Sequence, residues 1–208
     1  MYDFKFDPIL TYLVQSQHMI DNLDSELSQK YNEWEQKIKD GDYPHDYPDA
    51  YEIYEEEIMH LAEYGQIFRS SILLTVFGIF ENELLKLCEW CKRAEGISAQ
   101  VSKINRKSYI ESYKIYLETK IRVDLSTLRS EWEKIQVFRE IRNAFAHEVG
   151  FLKNSKASTR NYVSNQMGIK LKSNGQIELL NNDVVNDMIR TMNGYLSKVA
   201  NLIEGQKK

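Results

Sequence analysis

The segment Phe138-Arg-Glu-Ile-Arg-Asn-Ala-Phe-Ala-His147 holds the residue types best suited to chemistry in this chain of 208 residues. On a helix, at about 100° per residue, Phe138, Ile141, Phe145 and Val149 share one side. Gln136, Arg139, Asn143 and His147 share the other, flanked by Arg142. An imidazole, with an ordinary pKa of about 6.5, takes or gives a proton near neutrality. The carbonyl end of a helix, where His147 falls, favours its protonated form. A guanidinium offers a planar fork that matches phosphate oxygens, and a neighbouring carboxamide can both donate and accept. The combination suits acid–base chemistry at a phosphate ester.

Spacing sets a condition on that chemistry. Arg142 and His147 are five residues apart, hence about 140° apart around a straight helix, too far round to grip one phosphate together. Two such helices meeting across a two-fold axis could oppose the Arg of one copy to the His of the other. Trp132, Ile135 and Ala146, on the flank of the polar face, are candidates for the apolar part of that contact.

Arg142-Asn143-Ala144-Phe145-Ala146-His147 resembles the Arg–four residues–His signature of the HEPN superfamily, helical domains many of which are RNA-cleaving toxins. An Asn directly after the Arg is common there. The resemblance implies a mainly α antiparallel bundle that acts as a homodimer, with both motifs in one cleft and neither metal nor cofactor. The implied reaction is endoribonucleolytic: an activated 2′-hydroxyl attacks the adjacent phosphorus and leaves a cyclic phosphate and a free 5′-hydroxyl. His147 would be general base or acid, Arg142 would stabilise charge on the phosphate oxygens, and Asn143 would position the phosphate or orient the imidazole. Arg139, one turn earlier, is a second candidate for substrate phosphate. Family members tend to add a polar residue from the central helix, here Glu81 or Glu83.

The implied role is that of a toxin or antiviral defence effector, with RNA as substrate and an antitoxin or defence protein as partner. One position departs from the pattern. In HEPN toxins paired with minimal nucleotidyltransferase antitoxins, a Tyr two residues after the His receives the modification; here that residue is Val149. The chain is also longer than those toxins and looks more like the larger HEPN proteins of antiviral or abortive-infection systems. The resemblance is best over residues 67–150. Two other readings stay open: a HEPN-like bundle that binds nucleotide, RNA or protein without cleaving, and a helical dimerisation module in which the motif is incidental.

The rest of the chain must position this helix. Its length suits one domain, and three prolines with nine glycines point to a mostly helical one. Two cysteines, no signal-peptide pattern and no long apolar run suggest a reducing cytoplasm and no membrane partner. The net charge of −4 conceals an asymmetry: residues 1–66 carry 4 basic and 16 acidic side chains, residues 67–208 carry 23 and 15. The overall pI of 5.7 argues against a nucleic-acid partner, but the half with the motif is basic and suits one; a solvated surface with uneven charge gives the same balance.

Asp7-Pro8 has the form of a helix start, with Asp as cap, and apolar residues at helical spacing extend that helix to about Lys39. Turn residues fill 41–48. A second helical region runs from Asp49 to Arg93, with Gly65 as a candidate break; its part from Ile67 to Trp90 is apolar nearly all round, as befits the central helix of a bundle. Aromatics interleave with basic residues over 103–122, which suits the core and solvent sides of a helix of about 15 residues better than a nucleic-acid surface. Ser130-Glu-Trp-Glu133 reads as a capping box for the motif helix, with Gly150 as its terminator. Residues 151–167 read as a loop, 168–180 as a β-hairpin around Asn174-Gly175, and a last helix, capped by Asn182 or Asp183, continues to about residue 204. The core is expected near 67–150, with acidic helices over 7–66. Cys88 and Cys91 lack the further ligands a zinc site needs, and His18, His45 and His60 have no metal spacing.

Overall fold

Residues 6–44, 47–101, 108–153 and 155–206 are described by the computed structural model. The chain is mainly α-helical with one small antiparallel hairpin. Helix α1 (Asp7–Lys39) is not capped by Asp7. The Phe6 carbonyl accepts from Ile9 and Leu10, so Asp7 already lies in the first turn, where its charge suits the helix dipole. Helix α2 (Ala50–Ala94) is continuous through Gly65. Asp49 accepts from the Glu52 amide at 2.8 Å while Glu52 accepts from the Asp49 amide at 3.2 Å, closing a capping box. Gly65 leaves room for the Arg69 guanidinium, 2.9 Å from where a Cβ would stand.

The C-terminal half of α2 is the central helix. Ile72, Leu73, Val76, Phe80, Leu84, Leu87, Cys88 and Cys91 are all buried in one cluster. Around it pack α3 (Tyr109–Thr119), α4 (Arg129–His147) and α6 (Asp183–Gly205). The core is not confined to residues 67–150: ten residues of α6, from Val184 to Ile203, are buried in it. Cys88 and Cys91 are both buried and form no disulfide, and Cys88 donates to the Tyr113 carbonyl. Helix α3 is shorter than expected, and Lys103, Arg106 and Lys107, read as its basic neighbours, lie outside the described residues. Ile110, Tyr113, Tyr116 and Leu117 are its buried side, the core placement the sequence favoured.

Helix α4 starts without the Ser130 cap. A short 3-10 turn, Ser126–Leu128, has already begun the winding, so Ser130 lies inside the first turn, and Glu133 accepts from Arg129 at 2.9 Å. Phe138 and Ile141 are fully buried as the stripe requires. Val149 is not part of it: it lies past the helix end, 77% exposed, with a left-handed φ of 50°. Trp132 and Ile135 are also placed differently from expectation. Trp132 packs 5.4 Å from the Tyr195 ring and Ile135 is completely buried, so the core has used both and neither is available to a partner. Ala146 stays half-exposed.

Residues 151–167 hold a further helix, α5 (Ala157–Asn165), rather than a loop alone. Its start is fixed from outside: the Glu140 carboxylate accepts from the Lys156 amide at 3.0 Å and the Thr159 hydroxyl at 2.7 Å. Strands β1 (Ile169–Leu171) and β2 (Ile177–Leu179) pair with Ile169 opposite Leu179 and Leu171 opposite Ile177. Their loop has three residues rather than two. Lys172 donates to the Gln176 carbonyl, Gly175 donates to Lys172, and Gly175 takes the left-handed conformation, φ 85°, that this loop needs. At the start of α6, Asn181 rather than Asn182 supplies the side-chain acceptor, bonding the Asp183 amide at 2.9 Å.

Candidate functional site

Three helices converge on a polar pocket of about 260 Å³. Helix α2 contributes Phe77 and Glu81, one turn apart, and α4 contributes Arg139, Arg142 and Asn143. Ser108, Tyr109 and Ile110, at the start of α3, close the third side.

Arg142 is held without a carboxylate. Its guanidinium carbon lies 5.7 Å from the Phe77 ring centroid, and Nη1 donates to the Asn143 carboxamide oxygen at 3.0 Å. Its Nε is buried and unpartnered, and among the described residues no acid comes within ion-pair distance of it. A cation over an aromatic face is stabilised by the ring quadrupole, but its fork keeps unused donors. Arg139 is committed to the scaffold: Nη1 donates to Ser108 Oγ at 3.1 Å and lies 3.6 Å from Glu111. Since Ser108 caps α3 by accepting from the Glu111 amide, Arg139 locks α4 to the start of α3.

Glu81 is the acid of the pocket. Burial pushes its carboxyl above the ordinary range, partly offset by the Arg142 charge. The same carboxylate adds to the burial that lifts the Tyr113 hydroxyl to about 12. The sequence left Glu81 and Glu83 as equal candidates, and the helix separates them, since two residues along is about 200° around. Glu83 is buried, 2.7 Å from Lys86, and does not line the pocket.

His147 lies outside this group. It is the last residue of α4, exposed, and is not part of the pocket lining. Beside it, Lys153 donates to Glu148 at 2.8 Å and, with His147, holds that carboxyl below its usual range. Gln136 is not with the arginines either. Its amide is buried without a partner in a second cleft of about 660 Å³ between α4 and α5, lined also by Val137, Glu140 and Tyr162. The polar face of α4 is thus divided, with Arg139, Arg142 and Asn143 turned toward α2 and α3 and Gln136 and Glu140 toward α5.

No family model, curated protein or solved structure matches this chain. Among the described residues, no three His, Cys, Asp or Glu side chains gather as metal ligands, and no helix is long and apolar enough to cross a membrane. Ser108 gives no signal in the sequence, and Tyr109 is expected with the other aromatics of 103–122 on the core side of its helix. Tyr109 is instead 61% exposed on the pocket rim: its spacing is in phase with the buried Tyr113 and Tyr116, but it is the first residue of α3, so no spacing signal sets it apart.

Proposed function

We propose that this protein is an endoribonuclease of the HEPN type, a toxin or defence effector that cleaves RNA by 2′-hydroxyl attack at a site completed by two copies of the chain. The observation that carries the reading is the Arg142 guanidinium, unpaired by any described carboxylate and facing a polar pocket with Asn143 and Glu81. A fork held this way suits the singly charged phosphodiester and the second negative charge that develops on it in the transition state. Asn143, bonded to Arg142, fixes the fork's direction. Arg139, tied to Ser108, supports the pocket wall.

In this reading His147 of one copy exchanges protons with the sugar hydroxyl or the leaving oxygen, opposite Arg142 of the other. The burial-raised Glu81 carboxyl is a second group able to hold a proton near the phosphate. Antitoxin or defence-system partners belong to the same proposal.

A second reading has its own support. Within one protomer the pocket collects Arg142, Asn143, Tyr109 and Glu81 and leaves the imidazole outside. That is the composition of a phosphate- or nucleotide-binding pocket without cleavage. Incubating single-stranded RNA with the protein in EDTA separates the two. The ribonuclease yields cyclic-phosphate and 5′-hydroxyl ends and loses them in Arg142→Ala and His147→Ala. A binding module retains RNA and yields no products.

A further inference from the structure

Helices α1 and α2 leave the bundle as a two-helix arm. Among the described residues between Ile20 and Gly65, only Ala50 is buried. Where the arm meets the bundle, a groove of about 350 Å³ runs between the two helices, and none of its twelve lining residues is ionised. Five of them are large apolar side chains left 41% to 62% exposed: Tyr12, Met19, Leu23, Tyr64 and Ile67. An apolar patch of this kind on a chain rich in charge marks a surface that something covers.

Charge tells what covers it. From Pro8 to Asn22 the one ionised side chain is Asp21, and from Tyr64 to Phe80 it is Arg69. These two interact with one another, so the waist is neutral. Among the described residues, the outer side, 24–63, carries 12 acidic and 3 basic side chains, and the inner side, 81–206, carries 17 basic and 15 acidic.

We infer that a second copy of this chain docks antiparallel on the neutral waist, groove against groove. The contact is isologous, so one patch has to fit itself, and an uncharged apolar groove does so without like-charge repulsion. Antiparallel docking keeps the two acidic arm tips apart and lays each along the nearly balanced bundle of the other copy. Parallel docking would set the two acidic tips side by side, at an energetic cost. The interface stands on the waist alone and needs no ribonuclease activity. It also bears on the composite site. Ile177 donates to the Gly150 carbonyl, while Leu179 is bonded to Gln66 and Arg69, so the hairpin ties the end of α4, with His147, to the waist.

The test is the mass of the full-length protein in solution at about 10 μM, with circular dichroism to confirm folding. Wild type is expected at twice the 24.5 kDa chain mass, and Met19→Glu with Ile67→Glu at one chain mass with unchanged helicity. Should the double variant unfold, the single exposed change Tyr64→Glu, expected to weaken the dimer tenfold or more, takes its place. Orientation is read from Glu55→Lys with Glu56→Lys: antiparallel docking predicts a dimer no stronger than wild type, and a stronger one would overturn it. A wild type that stays monomeric at 100 μM, or waist variants that stay dimeric, overturns the interface. Because RNA is absent, a dimer that fails to cleave would leave this inference standing and remove only the ribonuclease.

Discussion

The Arg142 guanidinium stacks over the Phe77 ring at 5.7 Å and donates one N–H to Asn143, while its Nε stays buried without a partner. An arginine so placed is positioned by an aromatic face and by the residue next to it, and no described carboxylate lies within ion-pair distance of it. Arg142→Ala should cost folding stability only about 1 kcal/mol, the scale of a cation–π contact, while lowering RNA cleavage about 100-fold or more, as removal of an anion-stabilising donor does. Arg142→Lys should keep the fold but not the activity, since an ammonium lacks the fork. Urea unfolding beside a cleavage assay checks both.

Glu81 should titrate late. Burial raises its folded-state pKa, so its neutral form is the one the fold favours. The stability it contributes is complete below the ordinary carboxylate pKa and is lost as pH rises through the raised folded value. Glu81→Gln, fixed neutral, should therefore gain on wild type as pH rises across that interval. Arg142→Ala removes the charge that partly offsets burial, so it should move the Glu81 midpoint higher still. Carboxyl NMR titration reads both; a midpoint unchanged by Arg142→Ala would break the link.

Glu140 organises α5 from a distance. Its carboxylate accepts from the Lys156 amide and the Thr159 hydroxyl, the bonds a helix cap normally makes within its own chain segment. Glu140→Ala should destabilise the protein by about 1–2 kcal/mol, the scale of a lost cap, with protection in hydrogen exchange lost first over 157–165. Glu140→Gln, which keeps an acceptor, should lose less.

Two glycines of the hairpin region give forecasts of different size. Both have φ near 85°, but a Cβ on Gly175 meets nothing within 4 Å, whereas one on Gly168 would stand 2.1 Å from Asn181 Oδ1. Gly175→Ala should cost about 1 kcal/mol for the left-handed backbone alone. Gly168→Ala should cost distinctly more, because Asn181 also holds the start of α6. Denaturant midpoints decide it; equal losses would contradict the packing at Gly168.

These contrasts explain how much the sequence disclosed. The long helices were legible because Phe138, Ile141 and the run from Ile72 to Leu87 carry their burial in their spacing, and Asp49 with Glu52 announces the start of α2. The hairpin was legible from alternation around Asn174-Gly175, though its loop length was not. Helix α5 was illegible because it is short, buries only Thr159 and Val163, and takes its cap from Glu140, 16 residues earlier. Trp132 and Ile135 were misassigned since nothing local says that α6 will reach them. At the candidate site, the motif points to Arg142, Asn143 and His147, of which the pocket gathers only the first two; that separation, Glu81 lining it rather than Glu83, and the presence of Tyr109 depend on which helices meet, which is tertiary information.

The central claim is that Arg142 of one copy works with His147 of another, and mixing variants tests it most directly. Arg142→Ala and His147→Ala proteins should each be inactive on RNA in EDTA. Mixed and allowed to exchange subunits, they should regain cleavage at about a quarter of the wild-type rate, because half the dimers are mixed and each holds one intact composite site. A mixture as inactive as its components, formed from a protein whose wild type cleaves, would contradict the account.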